Sequence, residues 1–452
     1  MSLLLGIDFG TSYFKVGLFD AAGTLKGLGR VAVEKDMPGR GWCEVPVPRF
    51  WSMLRRGLAS ALTEADATVN EIAAVSYASQ ANSFVCLDAA GEPLTSLILW
   101  TDARAEPVAP DVEAFSQRDE FARTVGFHGW SSGFAVAKWR WLQINQPDVW
   151  ARSRHVLTLS DYFTFALTGE RVADASTAAF LGLYDLSRRR WWPEALAAGR
   201  IETERLATPV RPGSVVGRTV DAAVQKLGLP AGVPFAVGGL DHHVAALGSG
   251  LGTSADVSIS TGTVLAAMTL GADFEPKCGC YHGPHFDEGQ FYRLAFDPDG
   301  AGQLEAYQRE FAPELTLEQL LAQAATVPAA SSTRKDPAAS RGAAVRHLLE
   351  KIAAAQRALV GQVIGAAGVS RIVATGGGAR SPLWLQIKAD MFNVPVVTPS
   401  SPERASLGAA MLASIAAGWC NDAAQATAAM QSPGRIFMPD TETVERYRDW
   451  AP

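Results

Sequence analysis

Two segments far apart in the chain share one pattern: an apolar strand, a Gly-Thr turn and a second apolar strand. The first reads Leu3-Leu4-Leu5-Gly6-Ile7-Asp8-Phe9-Gly10-Thr11-Ser12, with its second strand over 13–19 and Lys15 just past the turn. The other lies over 255–270, around Ser260-Thr261-Gly262-Thr263. A unit repeated in this way predicts two similar halves that face each other. Each turn gathers backbone N–H groups and hydroxyls at one spot, a nest that binds anions, usually phosphate. Asp8 has two readings: it serves the metal that accompanies a nucleotide, or it merely starts the turn.

At 452 residues the chain exceeds one core, and two or three domains are expected. With 48% hydrophobic and 19% charged residues, the composition is that of an ordered globular chain. A net charge of −6 gives no electrostatic reason to expect nucleic acid. No run of 18 apolar residues spans a membrane, and residues 3–7 read as a strand, not a leader. Five cysteines, Cys43, Cys86, Cys278, Cys280 and Cys420, are too sparse for a disulfide framework. A cytoplasmic setting is expected.

Strand and helix signals alternate along the chain. Residues 50–62 carry helical spacing, and 72–77 and 83–87 read as strands. Asp-Ala-Ala-Gly occurs at 20–23 and again at 88–91, each time as a hairpin turn. Residues 130–143 predict a helix with an aromatic face of Trp139 and Trp141, and 156–167 a second helix ending at Gly169. Residues 233–237 form a strand that ends in Gly238-Gly239, with a helix from about Asp241. A long helix is expected over 342–366, a buried strand over 372–375 followed by three glycines, a last strand over 394–397 and a last helix over 405–417. Segment 324–340 reads as a surface loop.

These parts suit phosphoryl transfer, which needs backbone donors around the phosphates, a carboxylate near Mg²⁺ and a base for the acceptor hydroxyl. Gly-x4-Gly-Lys-Ser/Thr is absent, and Gly248-Ser249-Gly250-Leu251-Gly252 falls short of a dinucleotide fingerprint.

Beyond the first hairpin, the chain carries Ser79-Gln80-Ala81-Asn82-Ser83, Trp100-Thr101-Asp102-Ala103-Arg104, Lys138-Trp139-Arg140-Trp141-Leu142 and Asp174-Ala175-Ser176. Further on come Gly238-Gly239-Leu240-Asp241, the second Gly-Thr turn, Thr375-Gly376-Gly377-Gly378-Ala379-Arg380-Ser381, and Glu403 with Leu407-Gly408-Ala409-Ala410. In this order, over nearly the whole chain, they resemble the FGGY carbohydrate kinases of the actin-like ATPase superfamily.

The resemblance implies an α/β protein of two ribonuclease-H-like domains with a cleft between them. Residues 1–243 would hold most of the sugar site and 244–452 most of the nucleotide site. The implied reaction transfers the γ-phosphate of ATP, with Mg²⁺, to a hydroxyl of a small sugar: a ketopentose, deoxyketose, polyol or aldonate. Asp241 would be the general base; it also reads as a helix N-cap, and both roles are compatible. Asp8 would hold Mg²⁺ through water.

Gly10, Thr11, Ser12, Thr261, Gly262 and Thr263 would serve the phosphates. Lys15 either reaches the phosphates or is a solvated strand lysine. Gly377, Gly378 and Ala379 would admit the nucleotide close to the backbone. Gln80, Ala81, Asn82, Asp102, Arg104 and His242 are the sugar candidates. Arg104 has a second reading, as a structural ion-pair partner of Asp102. Trp100 is read as a core tryptophan rather than a wall of the site. A homodimer is a family-level expectation, with neither nucleic acid nor membrane as partner.

The chain departs from xylulose-type members in three places. Ala81-Asn82-Ser83 stands where they show Met-His-Gly, His242-His243 follows the base where they tend to have Asn, and the stretch before the long helix is shortened. That shortening keeps open a sugar-binding or regulatory member that has lost turnover. An ATPase acting on protein is a further alternative, but it leaves the Gln80 and Trp100 motifs unexplained. Cys278, Cys280, His282 and His285 form a chemically valid zinc set, with spacing tighter than usual; a buried or loop cluster is the favoured reading.

Overall fold

The computed structural model describes residues 2–262, 264–272, 274, 276, 279–298, 300, 302–330, 340–448 and 450. The chain forms two compact units. Unit 1 takes Met1–Gly248, Gly271–Tyr292 and Glu403–Gln431; unit 2 takes Ser249–Leu270, Arg293–Pro402 and Ser432–Pro452. A single cut after residue 243 therefore does not describe the division.

The reason lies in the first strand. β1 (Leu3–Phe9) is buried at all seven positions, so both faces of the strand must be covered. Leu3, Leu5, Ile7 and Phe9 face a core that contains Phe50, Leu54 and Leu58 of α1 (Val47–Ala65). Leu4 points the other way, into a cluster with Ala74, Leu407, Ala410 and Met411. Helix Arg404–Ala416 supplies that second cover, so the far end of the chain belongs to unit 1. Each large apolar side chain buried this way contributes about 1.5–3 kcal/mol.

The sheet of unit 1 also contains β2 (Tyr13–Phe19), β3 (Leu25–Ala32), β4 (Ile72–Ser79), β5 (Val215–Arg218), β6 (Pro234–Ala236) and β7 (Gly239–Leu240). Its order is β5-β6-β4-β1-β2-β3, with β7 also pairing with β4. β1 runs parallel to β4 and antiparallel to β2, β4 runs parallel to β6, and β5 closes antiparallel on β6. Unit 2 repeats this plan with β8 (Val257–Thr261), β9 (Leu265–Gly271), β10 (Ile372–Thr375), β11 (Val396–Pro399) and β12 (Pro433–Phe437). The run β9-β8-β10-β11-β12 has the same pairings in the same order: antiparallel, parallel, parallel, antiparallel. The internal repeat expected from the two Gly-Thr hairpins is thus present within each unit. Within this run the edge strand differs: β5 precedes β6 in sequence, whereas β12 follows β11.

The two Asp-Ala-Ala-Gly turns form alike. Asp20 Oδ1 accepts from the N–H groups of Ala22 and Thr24, as Asp88 Oδ1 does from those of Ala90 and Glu92. Gly23 and Gly91 take positive φ, which only glycine adopts without strain.

Two helix expectations need correction. The helix near 130 begins only at Ala135, as α2 (Ala135–Asn145). Trp139 and Trp141 do not share a face, because residues two apart on a helix point apart; Trp139 packs on Phe84 and Trp141 on Trp42. The 156–167 pattern is a strand, His155–Thr158, followed by α3 (Leu159–Thr168). Thr158 and Asp161 form a reciprocal capping box there, which starts the helix three residues late. The long helix, α4, spans Arg341–Ile364. Of segment 324–340, residues 331–339 lie outside the described ones. No helix among the described residues is long and apolar enough to cross a membrane.

Candidate active site

Parallel strands end on the same edge of a sheet, and the residues just past those ends meet there. In unit 1 the register aligns Asp8 with Ala78 and Phe9 with Ser79 across β1 and β4. Across β4 and β7 it aligns Gly239 with Ala78 and Leu240 with Ser79. Gly10, Gln80 and Asp241 are therefore the next residues of three adjacent parallel strands. Residues from three stretches of sequence converge because all three strands run the same way.

Asp8 is only 9% exposed. Burial pushes its carboxyl up to about 7, Lys15 pulls it down, and the charge of Asp241 raises it further. Lys15 Nζ stands 3.9 Å from Asp8 and 2.8 Å from Glu403. It is a half-buried ion-pair partner, so its reading as a solvated strand lysine is corrected. Asp241 opens the helix Asp241–Gly248 and accepts from the His242 N–H at 2.7 Å. Asp241 is half-buried, His242 is exposed and His243 is buried.

Gly10 and Thr11 are half-buried in the first turn, and Ser12 is exposed. Thr11 Oγ1 accepts from Trp100 Nε1 at 2.9 Å. Trp100 is 42% exposed, so it is no core residue: its indole is tied to the first Gly-Thr turn. Its backbone N–H donates to Ser83 Oγ, and Ser83 Oγ donates to Gln80 Oε1 at 3.1 Å. Gln80 is buried, and its Nε2 has no hydrogen-bond partner among the described residues. A buried amide donor left open this way costs stability unless a ligand completes it.

The other sugar candidates are engaged by the chain itself. Asn82 sits at φ 63°, its Oδ1 accepts from Ala135 N–H, and its Nδ2 donates to Phe180 O. It clamps the loop to α2, and Ala81 beside it is buried. Asp102 accepts four hydrogen bonds: from the backbone N–H groups of Cys43 and Arg104 and from Nε and Nη2 of Arg104. Those fill a carboxylate's capacity, so the sugar-contact expectation for Asp102 is corrected. Arg104 is its ion-pair partner, also bonds Glu44, and stacks 4.1 Å over the ring of Trp42. Glu44 carried no sequence signal, because its partner lies 60 residues away. Arg104→Met is expected to cost about 3–5 kcal/mol, because it strands the buried Asp102 charge; urea unfolding reads this directly.

In unit 2 the second turn departs from expectation at Thr261. Its side chain is wholly buried, its Oγ1 donates to Gln356 Oε1 at 3.0 Å and accepts from Lys388 Nζ. It supports the turn and offers no free hydroxyl to phosphate. Gly262 is half-buried, and Thr263 lies outside the described residues. A Cβ on Gly378 would come within 2.8 Å of Thr261 Cγ2, so that glycine is needed for packing. Gly377 is exposed and Ala379 half-buried; a Cβ on Gly377 would find its nearest neighbour, Thr261 O, 3.9 Å away. Gln356 escaped the sequence reading although a signal existed: it is the polar member of the apolar stripe Val345, Leu349, Ile352, Leu359 of α4.

The described members of the zinc set do not come together. Cys278 lies outside the described residues, His282 Nδ1 bonds Gly126 O, and His285 Nδ1 pairs with His243 Nε2 at 2.8 Å. Among the described residues no cluster of three or more His, Cys, Asp or Glu side chains could hold a metal.

A duplicated β-sheet plan of this kind is the two-domain actin-like ATPase fold, and the family match that follows makes the chain a phosphotransferase with an alcohol group as acceptor. The chain matches the FGGY family of carbohydrate kinases, N-terminal domain, over residues 3–248 and the C-terminal domain of that family over 312–417. It belongs to that family. It is 27% identical to a xylulose kinase of Lactococcus lactis, covering 99% of this chain and 94% of the relative. An autoinducer-2 kinase of Klebsiella pneumoniae is 25% identical over 99% of this chain and 92% of its own length. Among solved structures, a xylulose kinase from Rhodospirillum rubrum superposes with a TM-score of 0.87 at 27% identity, covering 99% and 97% of the two chains. A gluconate kinase from Lactobacillus acidophilus gives 0.87 at 21% identity, covering 99% and 96%. Sugar kinases of this family use ATP.

Proposed function

We propose that this chain transfers the γ-phosphate of ATP to a hydroxyl of a small ketose, polyol or aldonate, with Asp241 as general base. The convergence of Asp8, Gln80 and Asp241 at adjacent parallel strand ends carries this reading. Asp241, half-buried at a helix start, takes the proton of the attacking hydroxyl. Gln80 Nε2, buried and open, donates to a sugar oxygen.

Asp8 fits a hydrated Mg²⁺, which takes one or two carboxylates, phosphate oxygens and water rather than a cage of protein ligands. It is a buried carboxylate with Lys15 Nζ 3.9 Å away. When bound, the ion neutralises charge on the β- and γ-phosphates. The amides at Gly10 to Ser12 suit phosphate oxygens, and the open surface at Gly377 suits the nucleoside. Xylulose and the autoinducer-2 sugar, named by the relatives, are the first substrates to try.

The test is ADP release over a panel of ketopentoses, deoxyketohexoses, tetritols, gluconate and the autoinducer-2 sugar. Turnover with at least one of them is expected; no sugar-dependent release would leave a binding or regulatory protein. On the sugar that works, Gln80→Ala should raise KM about tenfold with kcat little changed, the effect of one lost hydrogen bond.

A further inference from the structure

Lys388 lies on α5 (Pro382–Phe392) of unit 2 and is wholly buried. Burial pushes its ammonium down to about 7, with no carboxylate among the described residues to offset it. Nζ donates to Thr261 Oγ1 and sits 5.2 Å over the ring of Trp384. A methionine or leucine would fill this space without the cost of burying a polar nitrogen, so the amine needs a reason.

The reason is on the other side of the bond. Thr261 is the residue just before Gly262, and its hydroxyl is held from two helices at once. Its proton goes to Gln356 Oε1 on α4, so a lone pair is left for Lys388. Gln356 Nε2 in turn donates to Ser260 O at 2.9 Å, bracing the strand that leads into the turn. The Gly-rich loop packs on the same residue, since a Cβ on Gly376 would approach Thr261 O to 2.5 Å. Thr261 is the joint between the turn, two helices and the loop after β10.

We propose that Lys388 is a positioning residue for the nucleotide: acting through Thr261, it fixes the Thr261-Gly262 backbone against the Gly376–Gly378 loop. The inference rests on the nucleotide reading of this turn given above. The amine holds the threonine in one rotamer, and the turn inherits that order. A neutral side chain of the same volume keeps the packing and releases the turn.

The test measures Mg·ADP affinity by calorimetry, together with the thermal midpoint, for the wild type, Lys388→Met, Thr261→Val and the double variant. Lys388→Met is expected to weaken ADP binding about tenfold while its midpoint stays level or rises, the loss of one charge-assisted hydrogen bond that is felt only by the ligand. Thr261→Val alone should weaken binding to a similar extent, which keeps the inference testable if Lys388→Met does not fold. In the Thr261→Val background, Lys388→Met should change affinity less than about twofold. Unchanged binding in Lys388→Met would overturn the proposal, as would parallel losses of midpoint and affinity, which mark a merely structural lysine. Equal losses in both backgrounds would also overturn it, because Lys388 would not then act through Thr261. If the wild type binds no ADP, the nucleotide reading falls and takes this inference with it.

Discussion

Asp241→Asn should lower phosphoryl transfer by about 10²–10⁴-fold, the usual span for a lost general base, while Mg·ADP binding and the thermal midpoint stay near wild type. Asparagine is chosen because it keeps the acceptor for the His242 N–H at the start of the helix. That hydrogen bond therefore survives, and only the basicity is lost. Asp241→Ala removes both, so the difference between the two variants isolates the hydrogen bond. Single-turnover ADP release with the sugar identified by the panel measures the chemical step. Near-normal turnover in the asparagine variant would remove Asp241 from the role of base.

The second large effect concerns Asp8, where activity and stability should move in opposite directions. Asp8→Asn is expected to lower turnover about 10²–10³-fold, since it takes away the carboxylate proposed for Mg²⁺. The same variant should be more stable without ligand at neutral pH. In the native state the Asp8 carboxyl is raised from 3.8 to about 7, chiefly by burial. Between those two values the unfolded chain has released a proton that the folded chain keeps, so folding stability falls as pH rises through that window. The variant escapes this loss. Its advantage should be small at pH 4, grow through pH 7 and level off above it, reaching on the order of 4 kcal/mol. Lys15 keeps its bond to Glu403 in either protein, so its own charge stays paired. Denaturant midpoints of the two proteins at pH 5 and pH 8 check the sign. An equal difference at both values would mean that the Asp8 charge is not what limits stability.

How much of this was legible in the chain follows from the range of the interactions involved. The hairpins, the Asp-Ala-Ala-Gly turns, the strand over Ile372–Thr375 and the long helix were read correctly, because each is written in neighbouring residues. The strand at His155–Thr158 was missed because Val156 and Leu157 suit helix and strand alike; the Thr158–Asp161 capping pattern was the signal that separated them. Lys388 resembles any helix lysine in sequence, yet it sits on the same face as Trp384, where a polar residue on an apolar stripe is informative. The ion pair of Asp102 and Arg104 was one of two open readings, and only Glu44 and the Cys43 N–H, far along the chain, decide for it.

By itself, the sequence determined the repeated strand–turn–strand units, the family to which they belong and the candidate residues just past the strand ends. Local periodicity and turn chemistry suffice for that. The tertiary structure decided which candidates keep a free polar atom. Gln80 retains an open donor, whereas the polar atoms of Asn82 and Thr261 bond parts of the chain that no local pattern connects to them, and Asp102 accepts from the distant Cys43 N–H as well as from Arg104. It also decided that helix Arg404–Ala416 belongs with the first strand, because a strand apolar on both faces must be covered on both, and the second cover comes from 400 residues away.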